Sequence, residues 1–96
     1  MNRNDVLFSL KKFKELNREK YSILKIGLFG STARNEIKET SDIDIVVELS
    51  DPDLFKLIGI KQDLEDQFKR NVDIIRYRNS MNRFLKQRID QEAVYV

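Results

Sequence analysis

Three acids in this chain stand among residues that do not welcome them. Ser41-Asp42-Ile43-Asp44 opens an apolar run, and residues two apart on a strand point to the same face. The two Cα atoms would then lie roughly 6.6 Å apart. Bare, such carboxylates repel by about 2 kcal/mol at an effective dielectric of about 20. A divalent cation between them reverses the sign. Hard oxygen donors suit Mg²⁺, and Mn²⁺ is compatible on the same grounds. Asp42 alone reads as a solvent-facing turn residue, but Asp44 lies inside the apolar strand, where an uncompensated carboxylate is costly. Asp73, second in Val72-Asp73-Ile74-Ile75, repeats the anomaly where β-propensity disfavours Asp. If those two strands are neighbours, the three acids face one site. Three carboxylates on adjacent strands describe a two-metal phosphoryl-transfer centre.

A second segment, Gly30-Ser31-Thr32-Ala33-Arg34, falls between a strand and a short polar stretch. Gly30 permits a tight turn and a close approach of backbone to ligand. The amides that follow and the Ser31 hydroxyl can face a phosphate. A plain turn with Ser31 as helix cap fits the pentapeptide equally well. Its weight comes from standing beside the acids.

The composition removes the competing chemistries. With no Cys, thiol nucleophiles and Cys-ligated metals are excluded, and with no His the Ser–His–Asp triad and imidazole bases go too. Carboxylates, Lys, Arg, Tyr, Ser and Thr remain. The 96 residues allow one core, so a single domain over 1–96 is expected. No apolar run approaches the ~20 residues of a membrane span, and the opening is not that of a secretory signal. A cytoplasmic protein without membrane contact is expected.

The net charge of +2 is small but uneven. Asn35 to Asp66 holds ten acids against three lysines, whereas Lys69 to Arg88 holds seven basic residues and one acid, Asp73. A solvated basic face is the simpler account of the latter, and direct binding to nucleic acid is not expected.

The elements that must position these residues alternate. Val6, Leu7, Leu10, Phe13 and Leu16 recur at helical spacing after Asn4, a suitable N-cap, to about Asn17–Lys20. Ile23–Phe29 reads as a strand stopped by Gly30, and Ser31–Lys38 as a helical turn or two. Ile43–Leu49 is a strand apolar enough to be central. Asp51 as cap and Pro52 at the first helical position start a helix. Its stripe is Leu54, Leu57, Ile58, Leu64 and Phe68, through about Arg70. Val72–Tyr77 is a third strand, Ser80 caps a helix carrying Met81, Phe84, Leu85 and Ile89, and Ala93–Val96 adds a short terminal strand. The order α-β-α-β-α-β-α(-β) predicts an α/β (α+β) fold. A small mixed central sheet of three to four strands would be flanked by helices.

Gly30-Ser31, then Asp42 and Asp44 separated by one residue, then a strand Asp at 73, resembles the DNA polymerase β-type nucleotidyltransferase superfamily. Length and Arg34 are most similar to its minimal nucleotidyltransferase (MNT) members, and the likeness runs from Ile23 to the final helix. It implies the nucleotidyltransferase fold and attack by an acceptor hydroxyl on the α-phosphorus of a nucleoside triphosphate. Asp42 and Asp44 would bind two Mg²⁺ ions, and Asp73 would complete the catalytic metal site and help activate the hydroxyl. Gly30 and Ser31 would contact the β- and γ-phosphates. Arg34 would add a charge-assisted phosphate contact or serve in an ion pair. Asn35 departs from the glycine common in MNT sequences, but Asn tolerates a left-handed backbone best after Gly.

Proteins of this type resemble the antitoxin of two-gene systems whose toxin is a HEPN-domain ribonuclease. The resemblance implies transfer of AMP from ATP to a tyrosine near the toxin's active site. Two alternatives stand beside it. One is an antitoxin that silences by binding alone, and the other is nucleotidyl transfer to a small molecule or nucleic acid aided by a separate recognition subunit.

Overall fold

The run Ile43, Ile45, Val46 and Val47 has no exposed surface at all in a computed structural model of the chain, which describes residues 1–38 and 40–96. That burial identifies the central strand. The elements are α1 (Arg3–Tyr21), β1 (Ile23–Leu28), α2 (Gly30–Ala33), β2 (Ile43–Leu49), α3 (Leu54–Phe68), β3 (Val72–Arg76), α4 (Arg83–Glu92) and β4 (Val94–Tyr95). The sheet runs β3-β2-β1-β4. β1 pairs antiparallel with both β2 and β4, while β2 and β3 are parallel and joined by α3 as the crossover such pairing requires. The fold is the expected α/β arrangement with a mixed sheet.

Side-chain alternation divides the two faces. Ile43, Ile45 and Val47 of β2 pack with Val6, Leu10 and Phe13 of α1 and Ile60, Leu64 and Phe68 of α3. Val46 points the other way, to Phe29 and to Ile89 of α4. Each such aliphatic side chain contributes about 1.5–3 kcal/mol on full burial. The larger core therefore holds β2 and β3 in place from behind. Asp44 and Asp73 lie on the other face, at the end of the strands that α4 leaves uncovered.

Several local expectations need correction. Helix α1 is capped by Asn2, not Asn4, because Asn2 and Asp5 satisfy each other's backbone N–H groups in a capping box. Asp53 rather than Asp51 caps α3, accepting the Phe55 N–H at 2.6 Å, so Pro52 precedes the helix. Asp51 pairs with Lys56 instead. Asn82, not Ser80, caps α4 by accepting from Leu85. Leu16, Leu54, Ile58 and Phe84 are exposed rather than core. In α1 the buried stripe runs Val6, Leu10, Phe13 and on to Tyr21, which leaves Leu16 one position off the face. In α4, Leu85, Ile89 and Ala93 form the inner stripe and Phe84 points away. No helix among the described residues is long and apolar enough to cross a membrane.

Candidate active site

The parallel register pairs Ile43 with Val72 and Asp44 with Asp73. Neighbouring strands lie about 4.8 Å apart, so the backbone carries two carboxylates side by side on one face. Asp44 is half-buried, whereas Asp73 and Asp42 are exposed. Burial pushes the Asp44 carboxyl above its ordinary range, and the charge of Asp73 pushes it further. The Ser31 hydroxyl opposes this, Asp42 adds a smaller push upward, and the Arg34 guanidinium a smaller pull downward. Asp44 therefore senses both of the other acids. Among the described residues, however, no three acids are drawn into a tight ready-made cluster. Asp44 and Asp73 are the close pair, and Asp42 stands at its margin, also bordering an open cleft of about 590 Å³ with Lys69 and Arg70.

The turn after β1 is built around Asp44. Gly30 has φ +63°, which side chains rarely tolerate, and a Cβ there would stand 2.9 Å from Asp44 Oδ2. Only glycine lets the chain pass this close to the carboxylate. The Ser31 hydroxyl donates to the same Oδ2 at 3.5 Å, and the Asp44 N–H donates to Thr32 Oγ1 at 3.1 Å. The Phe29 N–H donates to the Asp44 carbonyl at 3.0 Å. Glycine turn and strand acid are thus one unit. Thr32 was not singled out from the sequence, where a Thr after Ser carries no distinguishing signal; it is nearly completely buried.

Asn35 adopts φ +61°, the left-handed conformation expected of it, and its side chain accepts the Arg3 N–H at 2.9 Å. Arg34 sits within 3.4 Å of Glu36 and 3.8 Å of Glu92. It is nonetheless half-exposed and near enough to Asp44 to act on its charge. Arg34 therefore has an ion-pair role in the protein without being sequestered by it.

Two further residues were missed. Glu65 accepts the Val72 N–H at 3.0 Å, and Lys61 donates both to Glu65 and to the Val72 carbonyl. The Val72 carbonyl belongs to the peptide unit that carries the Asp73 nitrogen, so this pair anchors the start of β3. Lys61 and Glu65 are legible as a helical i,i+4 ion pair, but its destination is tertiary.

The donor set fits a hard divalent cation. It consists of carboxylate oxygens alone, with those of Asp44 and Asp73 carried side by side by the strand register.

Comparison with known proteins shows the family to which the chain belongs. The nucleotidyltransferase domain family matches residues 10–96. MJ1217 of Methanocaldococcus jannaschii, provisionally named a protein adenylyltransferase, is 40% identical over 88 residues, covering 91% of this chain and 90% of the relative. The protein adenylyltransferase MntA of Thermococcus cleftensis is 38% identical over 84 residues, covering 86% of this chain and 83% of its own length. Among solved structures, a toxin–antitoxin complex with AMP-PNP superposes with TM-score 0.73 at 26% identity, covering 88% of this chain and 69% of that one.

Proposed function

The chain belongs to the nucleotidyltransferase domain family and is a nucleotidyltransferase; from that premise we propose that it transfers AMP from ATP to a tyrosine hydroxyl of a HEPN-domain toxin, and so acts as the antitoxin of a cytoplasmic pair. The observation that carries the reading is the Asp44–Asp73 register pair built against the Gly30 turn. The naming of MntA as a protein adenylyltransferase and the likeness to a toxin–antitoxin complex holding AMP-PNP support the choice of nucleotide and of a toxin as the class of partner.

In this reading Asp42, Asp44 and Asp73 would hold two Mg²⁺ ions, with Mn²⁺ able to substitute, and the bound cations would supply charge stabilisation for displacement at phosphorus. Asp73 orients the acceptor hydroxyl and assists loss of its proton. The acceptor oxygen forms its bond to the α-phosphorus as the bond to the bridging oxygen breaks, and pyrophosphate departs. Gly30 amide and Ser31 hydroxyl receive the β- and γ-phosphates, a contact that glycine's lack of a side chain keeps open. Arg34 leans toward the same phosphates, exchanging its loose contacts with Glu36 and Glu92 for a charge-assisted bond. The reaction needs no imidazole, in keeping with a chain that has no His.

The two carboxylates favour catalysis over silencing by occlusion. A surface that only covers a toxin gains nothing from like charges held together at a cost in stability. The test is transfer of label. With the proposed HEPN-domain partner and Mg²⁺, α-labelled ATP should mark that partner and γ-labelled ATP should not. Label from the γ-position, or none from either, contradicts the proposal.

A further inference from the structure

The outer edge of β3 is unfinished. Tyr77 donates its N–H to the Val47 carbonyl at 2.8 Å, which fixes the alternation of the strand: residues 73, 75 and 77 turn their peptide groups toward β2. The N–H and C=O of Val72, Ile74 and Arg76 therefore face outward. Glu65 and Lys61 occupy both groups of Val72. Those of Ile74 and Arg76 meet no partner among the described residues.

Beside this edge lies a groove of about 400 Å³ between β3 and α3, lined by Leu54, Leu57, Ile58 and Ile74 and reaching Asp73 and Arg76. Leu54 is 69% exposed and Ile58 41%, although both are aliphatic and stand four apart on one helical face. The Nε of Arg76 is buried with no hydrogen-bond partner among the described residues. Free strand backbone, apolar side chains next to it and an unmet cation are the elements by which a sheet edge recognises an extended peptide.

We propose that this edge docks an extended segment of the acceptor protein as a fifth strand, with its apolar side chains on Leu54 and Ile58, a carboxylate on Arg76 and its acceptor hydroxyl beside Asp73. The inference rests on the AMP-transfer reading and adds to it how the acceptor is presented. A residue of the added strand opposite Asp73 has its side chain on the same face, with Cβ atoms about 4.5–5.5 Å apart. Asp73 and Arg76 are separated by about 10 Å of strand, so the carboxylate lies roughly three positions from the hydroxyl-bearing residue. Arg76 lines this end of the groove, which therefore selects for an acidic segment. A second copy of the chain is a poorer occupant. Symmetric antiparallel pairing about Ile74 would set Arg76 against Val72, whose outward groups are already taken and which offers no carboxylate.

Amide hydrogen exchange on the full chain, alone and with the intact HEPN-domain acceptor protein of the proposed reaction, tests the proposal. The Ile74 and Arg76 amides should exchange at least tenfold more slowly in the mixture. Leu54→Glu with Ile58→Glu, both at exposed positions, should raise the KM for the acceptor protein about tenfold while leaving the KM for ATP within twofold. Ile74→Pro, which deletes one outward N–H at an edge where proline is tolerated, should do the same. Unchanged exchange at both amides overturns the proposal, as does an acceptor KM unmoved by all three substitutions. Protection that grows with concentration in the isolated chain also overturns it, by giving the edge to a second copy. Protected amides without any AMP transfer would keep the docking edge and remove the catalytic reading.

Discussion

Asp44 and Asp73 are register partners across the parallel β2–β3 junction, so the backbone itself holds two like charges side by side. Hydrophobic packing on the opposite face maintains this, through Ile43, Ile45 and Val72, all without exposed surface. The site is held together from behind, against the repulsion within it.

Relieving that repulsion should stabilise the fold and end the chemistry. Asp44→Asn is expected to gain about 0.2–1 kcal/mol in denaturant unfolding, since like charges directly opposite on a sheet are destabilising. The melting temperature should rise by a few degrees. Transfer should fall by about 10²–10³-fold, the scale of losing one key electrostatic group. A loss of stability in Asp44→Asn would mean the carboxylate is compensated within the protein.

Gly30→Ala should lose on both counts. An L-residue at φ +63° costs about 1–2 kcal/mol. The new Cβ would stand 2.9 Å from Asp44 Oδ2, so the carboxylate must move. Thermal melts should fall by roughly 4–8 °C per kcal/mol, and transfer by more than tenfold. Full activity in a destabilised but folded variant would show that the close approach is incidental.

The pH dependence follows from the direction of the Asp44 shift. Its carboxyl is raised in the folded chain, chiefly by burial and then by Asp73, so folding favours the protonated form. This contribution is fully present below the unfolded carboxylate pKa and is lost as pH rises through the higher folded value. Wild type should thus lose stability over that interval relative to Asp44→Asn. Mg²⁺ should restore it at neutral pH, because a ligand binding only the folded chain stabilises by mass action. Melting curves with and without millimolar Mg²⁺ check this, and an equal Mg²⁺ response in Asp44→Asn would contradict it.

Glu65 carries the opposite sign. The Val72 N–H, then Lys61, hold its carboxyl below the usual range. Its contribution is present above the unfolded pKa and is lost as pH falls through the folded one. Glu65→Ala should lower kcat severalfold with little change in the KM for ATP, because it loosens the backbone that carries Asp73. Glu65→Gln keeps an acceptor oxygen for Val72 and should recover most of kcat. Equal losses in Ala and Gln variants would rule out this positioning role.

Much of the fold and site is legible in sequence because the signals are local. Ile43–Leu49 emerges as a strand over its full length, and the incongruity of Asp44 and Asp73 among apolar residues marks both acids. Asn35 likewise announces its left-handed turn by residue type. What escaped is tertiary. The reciprocity of Asn2 with Asp5 chooses the α1 cap over Asn4, and Asp53 outcompetes Asp51 through the geometry of one N–H. Leu54 and Ile58 fit a helical stripe, but only the position of β3 reveals that they border an open groove instead of the core. Thr32, Lys61 and Glu65 have ordinary sequence surroundings and acquire their roles through residues 7 to 12 positions away.

The most direct measurement is the intact mass of the proposed HEPN-domain partner after incubation with this protein, ATP and Mg²⁺. The account predicts a gain of one or more AMP units on a tyrosine, lost with Asp42→Ala, Asp44→Ala or Asp73→Ala. An unchanged partner mass in a stable complex that still abolishes toxicity would contradict it and show that the chain silences its partner by contact alone.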